Sequence, residues 1–194
     1  MTVAADKQRN GHKRDLVGFA GLARSGKDTA AGVLVEHGWT RLAFADEIKA
    51  MALDLDPIVD EWGGPIRLST VVAKHGWENA KNLPEIRRTL QRLGTECVRA
   101  RDPEFWVRVA MARALQSDTP VVFTDVRFAN EAAAIQAAGG HVVHIIRDNG
   151  PTLDELAAGH ASECIDFDCD RLLVNDGDLA QLRARVLALV HAHA

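Results

Sequence analysis

A glycine-rich segment, Gly21–Thr29, has the residue types and spacing that most clearly indicate chemistry. It follows the short apolar run Leu16–Ala20 and opens a stretch compatible with a helix, which is the strand–turn–helix context of a phosphate-binding P-loop. Glycines let backbone N–H groups turn toward phosphate oxygens, and the start of the helix adds the positive end of its dipole. Lys27 adds a mobile positive charge for the outer phosphates. The segment therefore predicts a nucleoside triphosphate site.

One position of this loop departs from the common pattern, because Asp28 stands where a Ser or Thr usually follows the lysine. A hydroxyl at that place normally binds Mg²⁺, and a carboxylate is also a hard oxygen ligand that suits this ion. We therefore expect either Asp28 or the next residue, Thr29, to hold the metal, directly or through water. The alternative is that Asp28 only stabilises the start of the helix, where negative charge is favoured.

A second predicted strand ends in a carboxylate. The run Val121–Asp125 has the form of a Walker B strand, which delivers one carboxylate to the mouth of the sheet, where it can hold Mg²⁺ or its water shell. Arg127 follows two residues later, and its place at the strand end predicts a contact with phosphate. The alternative for Arg127 is a structural ion pair with Glu131 at helical spacing.

Length and composition are those of an ordinary globular protein of one domain. The chain has 194 residues, of which 47% are hydrophobic and 26% are charged, and its formal net charge is −4. This charge argues against a surface that coats nucleic acid, and no apolar run is long enough to span a bilayer. Three widely spaced cysteines do not indicate a disulfide framework, so we expect reduced thiols in the cytoplasm. Residues 1–14 are polar and are expected to be a disordered tail rather than a secretory signal.

Hydrophobic patterning predicts strands that alternate with helices. The predicted strands are 16–20, 39–44, 121–124, 141–146 and 172–175, and the predicted helices are 27–37, 46–55, 84–101, 104–116, 131–138 and 179–191. Residues 56–84 contain several glycine and proline breakers, which predicts irregular structure. The alternation implies an α/β fold, a parallel sheet of about five strands with helices on both faces. Ligands of such folds bind beyond the carboxyl ends of the strands.

The predicted helix over 84–101 has two unlike faces. Its apolar stripe consists of Ile86, Leu90, Leu93 and Cys97, and its polar row consists of Arg88, Gln91, Arg92, Thr95 and Arg99. A solvated surface is the ordinary interpretation of such a row, although a guanidinium also suits a monophosphate because it can bond two of its oxygens. Gly94 costs about 1 kcal/mol relative to alanine within a helix, which indicates the close approach of another backbone or of a ligand.

Two further features each allow two interpretations. Trp62 and Trp77 lie in the irregular region, where they either stack on a nucleobase or pack within that segment. His160 lies in a long polar stretch after the 141–146 strand, where it is either a phosphate contact of a closing lid or a helix cap. The sequence does not choose between these roles.

Several motifs together resemble the deoxynucleoside monophosphate kinase family of bacteriophages, a branch of the P-loop kinases. They are GLARSGKDT at 21–29, FADEIK at 44–49, GWENAK at 76–81, RRTLQRLGTE at 87–96, FWV at 105–107, DVRFANE at 125–131, HASE at 160–163 and NDG at 175–177. The combination of GKDT, LQRLGTE and DVRFANE is far more specific than the P-loop alone. Ala129 stands where we more often expect proline, and the other departures are few.

The resemblance implies a single P-loop kinase domain over residues 15–194 that transfers the γ-phosphoryl group of ATP to a deoxynucleoside 5′-monophosphate, with Mg²⁺ as cofactor. It implies an acceptor-binding insert over 45–101 and a lid over 147–168. The implied catalytic residues are Lys27, Asp125 and Arg127, and the candidate metal ligands are Asp28, Thr29 and Asp125. The implied ATP contacts are Gly21, Ala23, Arg24, Ser25, Gly26, Lys27, Asp28, Thr29 and Arg147, with Asn175 and Gly177 near the adenine.

For the acceptor and the lid, the resemblance implies two further sets of residues. The acceptor contacts are Asp46, Lys49, Trp62, Arg88, Gln91, Thr95, Glu96, Arg127, Asn130 and Glu131. The lid residues are Arg147, His160, Ser162 and Glu163. Arg147 is the one obvious cation of that lid, so we expect charge neutralisation from Arg127, Arg88 or a partner subunit.

The resemblance also implies that the partners are small-molecule nucleotides, with no nucleic acid and no membrane, and it is compatible with a homodimer. The implied location is the cytoplasm, that of the host cell if a phage encodes the chain. Two alternatives stay open. One is another small-molecule P-loop kinase, similar to phosphomevalonate or dephospho-coenzyme-A kinases, and the other is a nucleotide-binding module without catalysis.

Overall fold

The computed structural model describes residues 15–61, 64–147 and 166–191. Its strands are β1 (Leu16–Ala20), β2 (Thr40–Leu42), β3 (Ile58–Glu61), β4 (Gly64–Arg67), β5 (Val121–Val126), β6 (His141–Ile146) and β7 (Arg171–Val174). Five of them form one sheet in the order β2-β5-β1-β6-β7, and every neighbouring pair in it is parallel. The predicted α/β fold with a five-stranded parallel sheet is therefore confirmed.

Helices connect these strands. They are α1 (Lys27–Val35), α2 (Asp46–Leu55), α3 (Leu68–Ala80), α4 (Pro84–Gln91), α5 (Phe105–Gln116), α6 (Ala129–Ala137) and α7 (Leu179–His191), and a π-helix (Arg92–Arg99) follows α4. Within the ranges that the structure describes, none of these helices is both long enough and apolar enough to cross a membrane.

β1 lies at the centre of the sheet, and all five of its residues are buried. It pairs with β5 on one side, where Leu16 lies opposite Val121, and with β6 on the other, where Val17 lies opposite His141. Parallel pairing brings the carboxyl ends of these three strands to one edge of the sheet. The loops that begin at Gly21, Arg127 and Arg147 consequently start close together.

Each face of the sheet is covered by helices, as predicted. On one face, Leu34 of α1 and Val186 of α7 belong to a buried cluster with Phe19 and Ile145 of the sheet. On the other face, residues of α5 and α6 form a second cluster with sheet residues such as Phe123. Strands buried on both faces read as continuous apolar runs rather than as alternating ones, which explains why β1 and β5 are evident in the sequence.

The segment between β2 and α5 has a core of its own. Ala52 of α2, Val59 of β3, Leu68 and Val71 of α3 and Ile86 of α4 are buried together, apart from the two clusters that cover the sheet. The prediction of irregular structure over 56–84 is wrong. β3 and β4 pair as an antiparallel hairpin and α3 follows it, because burial against α2 and α4 outweighs the local preferences of the glycines and prolines.

The predicted continuous helix over 84–101 is also wrong in part, because α4 gives way to the π-helix at Arg92. Gly94 is buried there, and a Cβ at this position would lie 2.7 Å from Cδ1 of Ile48 in α2. Its carbonyl oxygen accepts a hydrogen bond of 2.9 Å from Nε1 of Trp106. The close approach predicted for Gly94 is therefore present, but its partner is a side chain. The wider π turn also leaves Cys97 exposed, outside the apolar stripe predicted for it.

The contact between Gly94 and Ile48 predicts a coupling between the two positions. We expect Gly94→Ala to be less favourable with Ile48 than with Ile48→Val, which removes the clashing Cδ1 atom. Urea denaturation of the two single variants and the double variant should give a coupling free energy of about 1 kcal/mol, within the range of contacting pairs.

Gly32→Ala in α1 is the matched control, because a Cβ at Gly32 would meet nothing within 4 Å. This substitution should stabilise the protein by about 0.5–1 kcal/mol, the ordinary gain of alanine over glycine in a helix. The gain should be the same whether residue 48 is Ile or Val. Additive effects of Gly94→Ala and Ile48→Val would contradict the proposed contact.

Candidate functional site

The loop after β1 adopts backbone conformations that favour glycine. Gly21 has a φ of 148° and Gly26 a φ of 107°. A Cβ on Gly21 would lie 2.7 Å from Oγ of Ser25, and a Cβ on Gly26 would lie 2.5 Å from Nδ2 of Asn175. Larger residues at these two positions would therefore be strained and would also clash. The loop leads directly into α1, which begins at Lys27.

The amino end of α1 offers hydrogen-bond donors to an anion. Gly26 is its N-cap, and no side chain caps it within the described residues. The first N–H groups of a helix lack intrahelical partners, and the helix dipole adds positive potential there. Ser25 is buried, and the part of the chain that the structure describes gives its Oγ no hydrogen-bond partner. Ala23 and Arg24 are exposed on the same loop. These features fit the predicted binding of phosphates.

Lys27 folds back over the loop. Its Nζ donates to the carbonyl oxygens of Gly21 at 2.8 Å and Leu22 at 2.6 Å. Burial, with a further contribution from the positive charge of Arg127, lowers the pKa of Lys27 from 10.5 to about 8, against the opposing effect of Asp28 and Asp125. The ammonium is thus held at the place where outer phosphates are expected, and it is only partly compensated by negative charge.

Asn175, directly after β7, supports this loop through a side-chain hydrogen bond. It is buried, and its Nδ2 donates to the carbonyl oxygen of Ser25 at 2.9 Å. Its backbone N–H donates to Ile146 at 2.7 Å, which anchors it to the neighbouring strand β6. Asn175 thus supports the P-loop, and Gly177 lies against the side chain of Gln181 of α7. The proximity of these two residues to an adenine stays a prediction.

Asp125 lies at the carboxyl end of β5, as the Walker B pattern predicts. Its Oδ1 accepts the N–H of Phe44 at 2.8 Å and its Oδ2 accepts the N–H of Ala45 at 2.9 Å. The ring of Phe44 also stacks on Phe123 at 4.6 Å. Burial raises the pKa of Asp125, while the two backbone N–H groups and the charge of Arg127 oppose this rise. The carboxylate therefore fixes the start of α2 beside the phosphate loop.

The predicted metal ligands form an incomplete set of hard oxygen donors. Asp28 is exposed on α1, 3.9 Å from Nη2 of Arg41, and Thr29 is exposed beside it. The described residues contain no group of three or more acidic, histidine or cysteine side chains arranged to hold a metal ion by themselves. Mg²⁺ in nucleotide sites commonly uses one or two carboxylates together with substrate phosphates and water. A carboxylate also retains accepting capacity beyond one bond at each oxygen, so the donor set with Asp125 fits such an ion.

Glu131 of α6 is one of the most deeply buried charged residues, with 2% of its surface exposed. Its Oε1 lies 2.5 Å from Nη2 of Arg99, and its Oε2 accepts the N–H groups of Arg127 at 2.8 Å and Phe128 at 3.2 Å. Burial, and then the negative charge of Asp125, raises the pKa of Glu131 to about 7. The alternative interpretation of Arg127, an ion pair with Glu131, is therefore wrong: the Arg127 backbone N–H donates to Glu131, and Arg99 supplies the ion pair.

Arg99 joins the π-helix to the loop between β5 and α6. Its guanidinium carbon lies 3.7 Å from the centre of the Phe128 ring, and its Nη1 donates to Oδ1 of Asn130 at 3.1 Å. Nδ2 of Asn130 in turn donates to Pro103 at 2.9 Å and to Glu104 at 2.8 Å. Asn130 and Glu131 were predicted as acceptor contacts, and in the structure their polar groups brace this loop.

The other predicted acceptor residues lie on α2, α4 and the π-helix. Oδ2 of Asp46 accepts the N–H of Ala43 at 3.0 Å, and Nζ of Lys49 lies 3.6 Å from Oδ1 of Asp46. Gln91 and Thr95 are half-buried, and the residues that are exposed are Arg88, Arg92 and Glu96, the last two 3.7 Å apart as an ion pair. Arg147 is exposed at the end of β6. Trp62, His160, Ser162 and Glu163 lie outside the described residues.

Sequence reasoning missed three parts of this site. It did not foresee the bond from Asn175 to Ser25, the bonds from Asp125 to Phe44 and Ala45, or the pair between Arg99 and Glu131. Each joins residues that lie far apart in the chain. The one available signal was the occurrence of these residues within the motifs quoted above, except Arg99, which lies three residues beyond RRTLQRLGTE.

A cavity of about 200 Å³ lies at the opposite end of the sheet. Its walls include Asp15, Trp39, His141, Val186 and Leu189, so it opens at the amino ends of β1 and β6. Ligands of parallel α/β sheets bind beyond the carboxyl ends of the strands. We therefore place the candidate site at the P-loop edge rather than in this cavity.

Comparison with known proteins agrees with this geometry. Residues 67–186 match the family model described as deoxynucleotide monophosphate kinase. The chain belongs to the deoxynucleotide monophosphate kinase family. The predicted family is thereby confirmed, and the matched range contains the π-helix, Asp125, Arg127, Glu131 and Asn175. The P-loop precedes that range.

Individual relatives are more distant. A protein of Acanthamoeba polyphaga mimivirus named "Putative deoxynucleotide monophosphate kinase" is 26% identical over 198 residues, which cover 90% of this chain and 95% of that protein. The crystal structure of TT1252 from Thermus thermophilus has a TM-score of 0.53 at 18% identity, covering 93% of this chain and 98% of that one. Dephospho-CoA kinase from Campylobacter jejuni has a TM-score of 0.45 at 12% identity over 93% of this chain and 97% of its own, too low to bear on substrate.

The buried position of Glu131 predicts a dependence of stability on pH. Its pKa of about 7 in the folded protein lies above the ordinary value of 4.5. Between these two pH values the folded state therefore binds more protons than the unfolded state does. The free energy of unfolding should therefore fall as pH rises from 4.5 to 7, and the contribution should be constant above that window.

Urea denaturation of the wild type and of Glu131→Gln at pH 5 and pH 8 measures this effect. The wild type should lose stability relative to the variant as pH rises, since the amide does not titrate and Asp125 is common to both proteins. An equal change in both proteins would show that Glu131 titrates in its ordinary range.

Proposed function

We propose that this chain transfers the γ-phosphoryl group of ATP to a deoxynucleoside 5′-monophosphate, giving the diphosphate and ADP. The observation that carries the proposal is the meeting of Lys27, Asp125 and Arg127 at adjoining strand ends, in a chain of the deoxynucleotide monophosphate kinase family. Ala20, the last residue of β1, lies opposite Val126 of β5, so the loop that leads to Lys27 starts beside Asp125 and Arg127.

The P-loop and the amino end of α1 are the proposed site of the ATP phosphates. The backbone turns at Gly21 and Gly26, and the support of Ser25 by Asn175, keep the loop in shape. Lys27 can exchange its bonds to the loop carbonyls for bonds to phosphate oxygens, because both are acceptors of the same ammonium donor. In this proposal Arg147 and Gly177 are further contacts of the nucleotide.

For the acceptor, we propose the face formed by α4 and the π-helix, with Arg88, Gln91 and Thr95 directed at the monophosphate nucleotide. The separate core of this segment supports the assignment, because it holds α4 against α2 and the hairpin without help from the sheet. Exposed Arg88 can bond two phosphate oxygens at once. We further propose Asp46, Lys49 and Glu96 as acceptor contacts, together with Trp62, which lies outside the described residues.

The chemistry requires charge neutralisation more than proton transfer. A monophosphate acceptor is already an anion, so no strong general base is needed. Lys27 and Arg127 would stabilise the negative charge spread over the transferring group. Asp125, with Asp28 or Thr29, would hold Mg²⁺, which when bound neutralises phosphate charge and orients the triphosphate. The positive groups lie near the end of β1, where the transferring group is expected.

Release of ADP tests the proposal. The assay would contain ATP, Mg²⁺ and one of dTMP, dGMP, dCMP, dAMP, the ribose counterparts or phosphomevalonate. We expect turnover with at least one deoxynucleotide, and Lys27→Ala should lower kcat by about 100-fold or more, as loss of a charge that stabilises a transition state does.

Arg183→Ala is the matched control, since Arg183 is an exposed cation of α7 that pairs with Glu36, at the end of α1 remote from the P-loop. It should retain the activity of the wild type. Near-wild-type turnover by folded Lys27→Ala would refute the proposed mechanism. Turnover of phosphomevalonate alone would indicate a different small-molecule kinase, and tight ATP binding without turnover of any acceptor would indicate a binding module.

The lowered pKa of Lys27 predicts that ATP binds less tightly at high pH. Above its pKa of about 8 the free protein loses the charge of Lys27, so binding must then include uptake of a proton. The Kd for ATP, measured by calorimetry, should rise roughly tenfold between pH 7 and pH 9, one decade for one unit of pH beyond the pKa.

Lys27→Arg provides the reference, because a guanidinium keeps its charge throughout this range. Its Kd for ATP should vary little over the same interval, whatever its absolute value. If the Kd values of both proteins rise in parallel, the pH effect comes from another group.

A further inference from the structure

A connected set of polar contacts joins the acceptor-side π-helix to the loop that carries Arg127. It begins at Arg99, the last residue of the π-helix, whose Nη2 lies 2.5 Å from Oε1 of Glu131 on α6. Its side chain is 13% exposed and that of Glu131 is 2% exposed, so the pair is largely shielded from water. The two residues are 32 positions apart in the chain, and their bond is therefore a tertiary tie between two elements.

Glu131 is also bonded to the backbone of the loop that carries Arg127. Its second carboxylate oxygen accepts the N–H of Arg127 at 2.8 Å and the N–H of Phe128 at 3.2 Å. The first of these residues carries a guanidinium whose charge is felt by both Lys27 and Asp125. The direction in which the chain leaves β5 is thus set in part by a carboxylate that Arg99 holds.

Two further contacts strengthen the same connection. The guanidinium of Arg99 covers the ring of Phe128 at 3.7 Å, and its Nη1 donates to Asn130 at 3.1 Å. Asn130 also donates to the carbonyl oxygen of Pro103 at 2.9 Å, just before α5. Movement of the π-helix relative to this loop would therefore break several bonds of a fixed geometry at the same time.

Stability alone is a weak explanation for such a pair. Taking two charges out of water costs about as much as their attraction returns, and apolar residues of similar volume often stabilise a protein equally well. What a buried ion pair with bonds on both carboxylate oxygens does provide is a defined position for each connected element. Here the connected elements are the π-helix of the proposed acceptor face and Arg127, the residue that follows β5.

We propose that Arg99 and Glu131 are positioning residues that transmit the placement of the π-helix to Arg127, so that Arg127 reaches the transferring phosphoryl group only while their connection is intact. This inference rests on the proposed phosphoryl transfer. The two residues touch neither nucleotide in this scheme. They act on the rate of transfer through Arg127 and leave the P-loop unchanged.

A double-variant cycle tests this coupling. Glu131→Gln keeps the size of the side chain, but an amide cannot accept from both Arg99 and the two backbone N–H groups. We expect kcat to fall at least tenfold while KM for ATP changes less than twofold. Arg127→Ala should also lower kcat, and adding Glu131→Gln to Arg127→Ala should cause no further loss, because the residue through which Glu131 acts is then absent.

Glu36→Gln is the matched control, since Glu36 pairs with Arg183 on the surface, away from the site. Glu36→Gln should leave kcat unchanged both in the wild type and in Arg127→Ala. If the losses from Glu131→Gln and Arg127→Ala multiply, Glu131 does not act through Arg127 and the inference is overturned. The same conclusion follows if Glu131→Gln, shown to be folded by its unfolding transition, leaves kcat unchanged.

Amide hydrogen exchange separates failure of this inference from failure of the proposed function. In Arg99→Met, the N–H groups of Arg127 and Phe128 should exchange at least tenfold faster than in the wild type, while that of Ala30 in α1 should not change. Absence of phosphoryl transfer by the wild type would refute the proposed function, and the exchange rates would still decide whether Arg99 controls the Arg127 loop. An unchanged exchange rate at Arg127 would refute the claim that Arg99 holds the Arg127 loop in place through Glu131.

Discussion

The parallel pairing of β1 with β5 and β6 is the interaction on which the rest of this molecule depends. Each pair is held by backbone hydrogen bonds that orient three strands alike, so their carboxyl ends arrive at one edge. The backbone there must turn away from the sheet, and the turn after β1 exposes the N–H groups at the start of α1. The phosphate loop, the carboxylate of Asp125 and the backbone of Arg127 lie together for this reason. No contact between these loops would achieve the same arrangement without the sheet.

Charge is then distributed under the constraint that isolated buried charges are costly. The ammonium of Lys27 turns to carbonyl oxygens of its own loop, and the carboxylate of Asp125 turns to two backbone N–H groups. Glu131 satisfies one oxygen with Arg99 and the other with backbone donors. The partners of Asp125, and Arg99 as the partner of Glu131, belong to other elements, so these bonds also fix the elements around the site. The bonds that stabilise the buried charges of Asp125 and Glu131 are therefore also the bonds that position the neighbouring elements.

The segment that carries the proposed acceptor face is built differently from the sheet. Its own buried cluster holds α2, the hairpin, α3 and α4 together, and both α2 and the π-helix contact α5 outside this segment. Gly94 allows α2 to approach, and its carbonyl receives the indole N–H of Trp106. A wider helical turn at this point accommodates both contacts. The proposed acceptor face is thus connected to the rest of the site by a few specific contacts.

The family, the α/β class, the P-loop and the strand that carries Asp125 can all be predicted from the sequence, because these depend on patterns within a few neighbouring residues. Buried parallel strands are continuous apolar runs, and a phosphate loop needs glycines and a lysine at set spacing. Other features become visible only in the folded chain. Residues 56–84 contain a hairpin and a helix, the helix after Pro84 widens into a π-helix, Asn175 supports the P-loop, and Glu131 pairs with Arg99. Those outcomes depend on burial and hydrogen bonding between residues far apart in the chain, which local propensity and spacing do not contain.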